Sequence, residues 1–182
     1  HSPSRRQRQM CIRDSIYPGF IALNTSLGLG EIDAVRATID EDEIGDFLPH
    51  VRSIIAYNAE SKVVETMRMN GVLLSQIAPN GGIISGSSSV VQLDAWNWED
   101  AVISYDQGIH LNWPSPYSRS GYSYYRGPSI IKKSDKYESN IEEIKNFFDS
   151  SKAYLNEPNP NPVSLPYKAM LSVFTGTSTV FL

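Results

Sequence analysis

Cysteine is almost missing from this chain: a single thiol, Cys11, occurs in 182 residues. That excludes an internal disulfide, a CxxC redox pair and a zinc centre built on thiolates. Histidine is nearly as scarce, with His1, His50 and His110 only, and no two of them stand at the His-x-His or His-x-x-x-His spacing that brings imidazoles to one ion. No run of about eighteen apolar residues is present to cross a bilayer as a helix, and no secretory leader is legible. Basic residues are outnumbered, 16 against 20 acidic ones, for a net charge of −4. Beyond the first fifteen residues nothing gathers Lys and Arg into a stripe that would follow phosphates, so neither nucleic acid nor a membrane surface is an expected partner.

What basic character there is sits at the start. Arg5-Arg6-Gln7-Arg8-Gln9-Met10-Cys11-Ile12-Arg13-Asp14 resembles a transposon-type sequencing adapter translated codon by codon, and Cys11 lies inside it. Residues 1–15 are therefore expected to be non-native and without packed structure, with the genuine sequence beginning near Ile16. The rival reading is a basic arm for nucleic acid or an anionic membrane. With residues 1–15 set aside, twelve basic residues face nineteen acidic ones, a net charge of −7.

Local patterns outline an α/β chain. Ser53–Tyr57 is a β-branched run that suits a buried strand. Asn58 is placed to cap a helix over residues 59–69 with Val63, Val64 and Met67 on one side, and Asn70-Gly71 supplies a left-handed stop before a strand at Val72–Ile77. Strand, helix and strand at short connections read as a parallel α/β unit. Gly81 to Ser89 reads as a glycine- and serine-rich loop, matching neither a P-loop nor a dinucleotide fingerprint. Residues 114–138 form an irregular excursion rich in Ser, Tyr, Gly and Pro. Ser139 and Glu142 make a capping box for a helix carrying Ile141, Ile144, Phe148 and Leu155, which ends at the Asn- and Pro-rich run 156–162. A helix over Leu165–Phe174, stopped at Thr175-Gly176, leads to an apolar strand at residues 178–182. No internal repeat is visible.

The run Pro18-Gly19-Phe20-Ile21-Ala22-Leu23-Asn24-Thr25-Ser26-Leu27-Gly28, together with Asn70-Gly71-Val72, the stretch from Gly81 to Asp100 and Gly108-Ile109-His110-Leu111-Asn112-Trp113-Pro114, resembles the amidohydrolase superfamily, in its imidazolonepropionase-like branch. The resemblance covers most of the chain past residue 15. It implies a fold of α/β class, a partial TIM-like (β/α)8 barrel truncated at both ends, with residues 16–182 as its N-terminal part and a small β-sandwich contributed before Pro18. A complete barrel takes about 250 residues. It also implies hydrolysis of non-peptide C–N bonds in a small-molecule substrate, a divalent metal of zinc type, and a periplasmic or secreted location, which the residues themselves leave unknown.

In that family the first barrel strand has the form Pro-Gly-Phe-Ile-Asp-x-His-x-His, and its two histidines serve the metal. Here Ala22 stands for the Asp, Asn24 for the first His and Ser26 for the second. Residues 24 and 26 of a regular strand share a face and could converge on one ion. An amide and a hydroxyl oxygen, however, are hard, neutral ligands suited to magnesium or calcium beside carboxylates, not to zinc. Asn24 and Ser26 therefore either bind something harder or simply hydrogen-bond to their neighbours.

Glu31 and Asp33 could present carboxylates at a barrel mouth or merely order a loop, and Asp40–Glu43 reads as an acidic surface loop. His110, between Ile109 and Leu111, is a ligand-contacting or a core histidine, and His50 has no partner spacing. The segment Gly81 to Ser89 is expected to shape a substrate. Trp96, Trp98 and Trp113 are expected to be buried, while the loop tyrosines, Tyr122 and Tyr124 above all, could stack on a ligand.

The sequence leaves three functions open: an amidohydrolase, a catalytically silent barrel that binds a ligand or pairs with an active relative, and a carbohydrate-binding module built on the aromatic segment; a homo-oligomer or a related amidohydrolase is the expected protein partner.

Overall fold

The computed structural model describes residues 17–32, 34–119, 131–158 and 162–182. Its centre is a five-stranded sheet of β1 (Phe20–Thr25), β2 (Val72–Ile77), β3 (Ile84–Gln92), β4 (Val102–Leu111) and β7 (Thr179–Phe181), hydrogen-bonded in the order β1-β2-β3-β4-β7. β1 runs parallel to β2 and β4 parallel to β7, whereas β3 is antiparallel to both neighbours. Four strands thus point one way and β3 alone points back. The architecture is α/β, as expected, but the sheet is mixed, and β3 breaks the parallel order that a (β/α)8 barrel implies. The reversal arises because the β2–β3 connection and the β3–β4 connection, which holds only the one-turn helix α3 (Trp98–Ala101), are short, and a short connection permits only an antiparallel return.

The parallel pair β1 and β2 is joined by a crossover that holds α1 (Ser53–Ala56) and α2 (Lys62–Met69). Here the expected strand at Ser53–Tyr57 is corrected. Arg52 makes one isolated parallel bridge to Ser87, and the chain then turns into α1, where Ser53 donates its hydroxyl to the Ile77 carbonyl at 2.9 Å and Ile54 enters the core. Tertiary contact thereby overrides β propensity. The cap of α2 also moves. Ser61, not Asn58, accepts the Val63 N–H, while Asn58 closes a turn by accepting the Glu60 N–H at 3.0 Å. Val64 is buried and Met67 packs beside it, but Val63 is exposed. Gly71, at φ 88°, provides the left-handed stop before β2.

The serine-rich segment is not a loop: residues 84–92 are β3, buried through most of its length. Its hydroxyls are tolerated there because each has a partner. Ser88 accepts from Gln76 Nε2 and Ser89 accepts the Asp106 N–H, while Ser85 accepts from Asn112 Nδ2. Where β2 has ended, the free side of β3 is covered by residues 46–52, through Leu48 N–H to Ile84 O and Ser87 N–H to Val51 O, both 2.8 Å.

The described parts of the excursion form a two-stranded antiparallel ladder, β5 (Tyr117–Arg119) with β6 (Ile131–Lys133). α4 (Tyr137–Leu155) follows with Lys136 as N-cap, and Ser139 donates back to the Lys136 carbonyl rather than forming a capping box with Glu142. The last helical segment is broken at Met170 into α5 (Leu165–Ala169) and α6 (Leu171–Phe174). Two apolar clusters hold the sheet. Ile54, Tyr57, Val64, Ile77, Val91 and Leu93 pack under α1 and α2, and Ile84, Ile109, Leu111, Ile144 and Met170 pack under α4 to α6.

Candidate functional site

β1, β2, β4 and β7 point the same way, so their C-terminal ends share one edge, the place where parallel α/β sheets hold ligands. A cavity of about 290 Å³ opens there, lined by Leu23 and Asn24 of β1, Gln76 of β2, His110 and Leu111 of β4 and Phe181 of β7, with Pro79, Asn80, Asn112 and Leu182 at its rim. Asn24 and His110, 86 positions apart in the chain, are brought to the same hollow. Asn24 and Ser26 are not.

The reason lies in the backbone of Asn24, which adopts φ 51°. Left-handed geometry is uncommon outside glycine and is most tolerable for Asn. It coincides with a slip in the β1–β2 register between Ala22 and Thr25. The Asn24 N–H reaches Gln76 Oε1 at 3.3 Å, Thr25 resumes pairing opposite Ile77, and its hydroxyl shares a 2.8 Å hydrogen bond with Ser75. Strict alternation is lost at this bulge. Ser26 falls beyond the strand, where its carbonyl accepts the Leu29 N–H, and it does not line the cavity.

His110 is 8% exposed. Its ring lies 5.0 Å from that of Phe181, centroid to centroid, and its Nε2 is buried with no hydrogen-bond partner among the described residues. Burial pushes its pKa below the ordinary imidazole value, because a charged ring would lose hydration there. The neutral form is thus favoured, with one ring nitrogen an acceptor and the other a donor. Around it the amides are largely committed. Gln76 Nε2 donates to Ser88, Asn112 Nδ2 donates to Gly81 O, Gly82 O and Ser85 Oγ, and Asn80 Nδ2 donates to Glu41. The Asn24 side chain remains exposed at the mouth.

The side chains lining this cavity offer one imidazole and four carboxamides as donors, with no side-chain carboxylate. Zinc-type ions take imidazole and thiolate, and harder ions need carboxylates, so this donor set fits neither. Among the described residues no group of three or more His, Cys, Asp or Glu side chains is placed to hold a metal.

The remaining candidates lie elsewhere. Glu31 accepts a 3.1 Å hydrogen bond from Asn58 Nδ2 on the surface and orders a loop. Asp33, Tyr122, Tyr124 and Tyr125 lie outside the described residues. The tryptophans are corrected in part: Trp98 packs on the first core cluster, but Trp96 is 88% and Trp113 52% exposed. Both follow strand ends, where no element among the described residues covers them. Gln76 and Phe181 belong to the site and were not singled out from sequence. The one available signal is Gln76, which with Ser75 interrupts the apolar run of Val72–Ile77.

No family model matches the sequence, and no curated protein is significantly similar to it. Among solved structures, an amidohydrolase from Thermotoga maritima MSB8 superposes with a TM-score of 0.66 at 16% identity, over 87% of this chain and 43% of that one. The chain therefore spans less than half the length of that protein. At this identity the likeness shows an amidohydrolase-like fold.

Proposed function

We propose that the chain is an amidohydrolase-type hydrolase, acting on a non-peptide C–N bond of a small substrate held in the strand-end cavity. The observation that carries this reading is the meeting of Asn24 and His110 in one hollow at the C-terminal ends of four co-directional strands. The fold likeness to the Thermotoga amidohydrolase supports it. In this reading the unpartnered Nε2 of neutral His110 hydrogen-bonds the substrate or takes a proton from attacking water, and the Asn24 carboxamide orients the substrate carbonyl. Phe181 walls the cavity beside the imidazole. No step is routed through a metal, since the donors do not suit one.

A second reading is a silent barrel that retains ligand binding without turnover, favoured by the replacement of imidazole by carboxamide at Asn24. In either case the exposed apolar residues Phe20, Ile21 and Leu23 on the edge strand β1 support pairing with a second copy or a related chain. The test is incubation with a panel of small lactams, ureides and N-acyl amino acids, followed by mass spectrometry and calorimetry. Turnover that falls at least about a hundredfold in His110→Asn supports the hydrolase. Saturable binding without turnover, weakened by Asn24→Ala, supports the silent form. Neither turnover nor binding across the panel overturns both.

A further inference from the structure

Ile109 and His110 are successive residues of β4 and so face opposite sides of the sheet. On the Ile109 side lies a larger cavity of about 820 Å³, between the loop at Pro49 to Arg52, β4 and the α5–α6 pair. We propose that this second cavity is a binding site for a small monocarboxylate with an apolar body.

Its polar end is organised around Asp106. The carboxylate accepts from Arg52 Nε at 2.8 Å and from the Ser87 hydroxyl at 3.0 Å. Its main chain is fixed as well, by the N–H to Ser89 Oγ at 3.0 Å and the carbonyl to the Ser178 hydroxyl at 3.3 Å. These four bonds hold Asp106 at φ 42°, where the β3–β4 register slips, in a left-handed backbone that is uncommon outside glycine and that Asn and Asp tolerate best. Strain of this kind concentrates at ligand clamps.

Each Asp106 carboxylate oxygen accepts one of these bonds, whereas the cations keep free donors. The Arg52 guanidinium lies over the Tyr105 ring, 5.9 Å from its centroid, and gives only Nε to a hydrogen bond, so its terminal nitrogens make none to the described residues, and Lys168 of α5 has no ion-pair partner among them. Nδ1 of His50, on the same wall, is buried with no partner among the described residues. Arg52 and Lys168 against Asp106 leave one net positive charge, which matches a monoanion better than a dianionic phosphate. A guanidinium fork also matches the geometry of a carboxylate. Pro49, Ile109, Leu165 and Ala169 line the rest and suit an apolar body.

Calorimetric titration of the full chain with acetate, butyrate, hexanoate and benzoate tests the site, with hexanamide and inorganic phosphate as comparators. Affinity should rise with apolar size, hexanamide should bind at least tenfold more weakly than hexanoate, and backbone amide shifts should centre on Ile109, Lys168 and Ser172. Lys168→Gln, which leaves the Arg52–Asp106 pair intact, should weaken hexanoate at least fivefold while circular dichroism shows an unchanged fold. Absence of binding across the carboxylates overturns the proposal. So does equal affinity for hexanamide, tighter binding of phosphate than of hexanoate, or indifference to Lys168→Gln.

Discussion

The ring of Phe181 that tilts against His110 at 33° also closes over Gly108, so that a Cβ built on this glycine would stand 2.3 Å from Phe181 Cε2 and 2.6 Å from the Thr179 carbonyl. Glycine here permits close approach of two strands. Gly108→Ala must displace β7, and with it the wall of the strand-end cavity. The expected loss is about 1–3 kcal/mol, the usual range for overpacking, read as a lower urea midpoint with reduced amide protection at Val180 and Phe181.

The buried imidazole of His110 makes stability depend on pH. Its pKa is lower in the folded chain than in the unfolded one, so below the unfolded value, about 6.5, the unfolded state binds a proton that the folded state refuses. Stability is then full above that pH and falls as the solution is acidified toward the folded pKa. The loss is at most about 1.4 kcal/mol per pH unit. Urea midpoints between pH 8 and 5 should show this fall in the wild type, and His110→Gln should flatten it.

Tyr57 carries a hydroxyl buried without a partner among the described residues, and burial pushes its pKa to about 12. A buried hydroxyl that finds no hydrogen bond costs its desolvation for no return. Tyr57→Phe should therefore be neutral or stabilising by up to about 1 kcal/mol, visible as an unchanged or higher melting temperature. A drop of more than that would reveal a hydrogen bond to that oxygen in solution.

Asn24 and His110 line one cavity, so Asn24→His places a second imidazole on its wall. The wild type should retain little zinc after dialysis, and the variant distinctly more, by elemental analysis. Ser26→His alone should add nothing, because Ser26 lies outside the cavity.

Much of this architecture was legible because it is local. β2 has its expected ends because the strand follows the helix stop Asn70-Gly71, and β7, after Thr175-Gly176, lies within the expected strand 178–182 and is one residue shorter at each end. Ser53–Tyr57 misled because its β-branched residues describe what the segment can do in isolation, whereas its hydroxyl contact with Ile77 and the space beside β3 decided otherwise. The serines of β3 concealed a strand since their hydrogen-bond partners come from β2, β4 and the turn at Asn112. Within the site, Asn24 and His110 could be named from the chain. Their shared cavity, the departure of Ser26 and the part played by Phe181 depend on a left-handed residue and a strand register that period-two patterning does not encode.

The lone reversed strand has a kinetic meaning. β2, β3 and β4 pair across short connections, Ile77 with Ser89 and Val91 with Val102, so this meander closes small loops. β1 must wait for the crossover through α1 and α2, and β7 for the whole stretch from β5 to α6 before Thr179 meets Gly108. Loops of such different length close at different speeds. The meander is therefore the part of the sheet able to form early, and the cavity that holds His110 is complete only once the two longer loops have brought β1 and β7 to it.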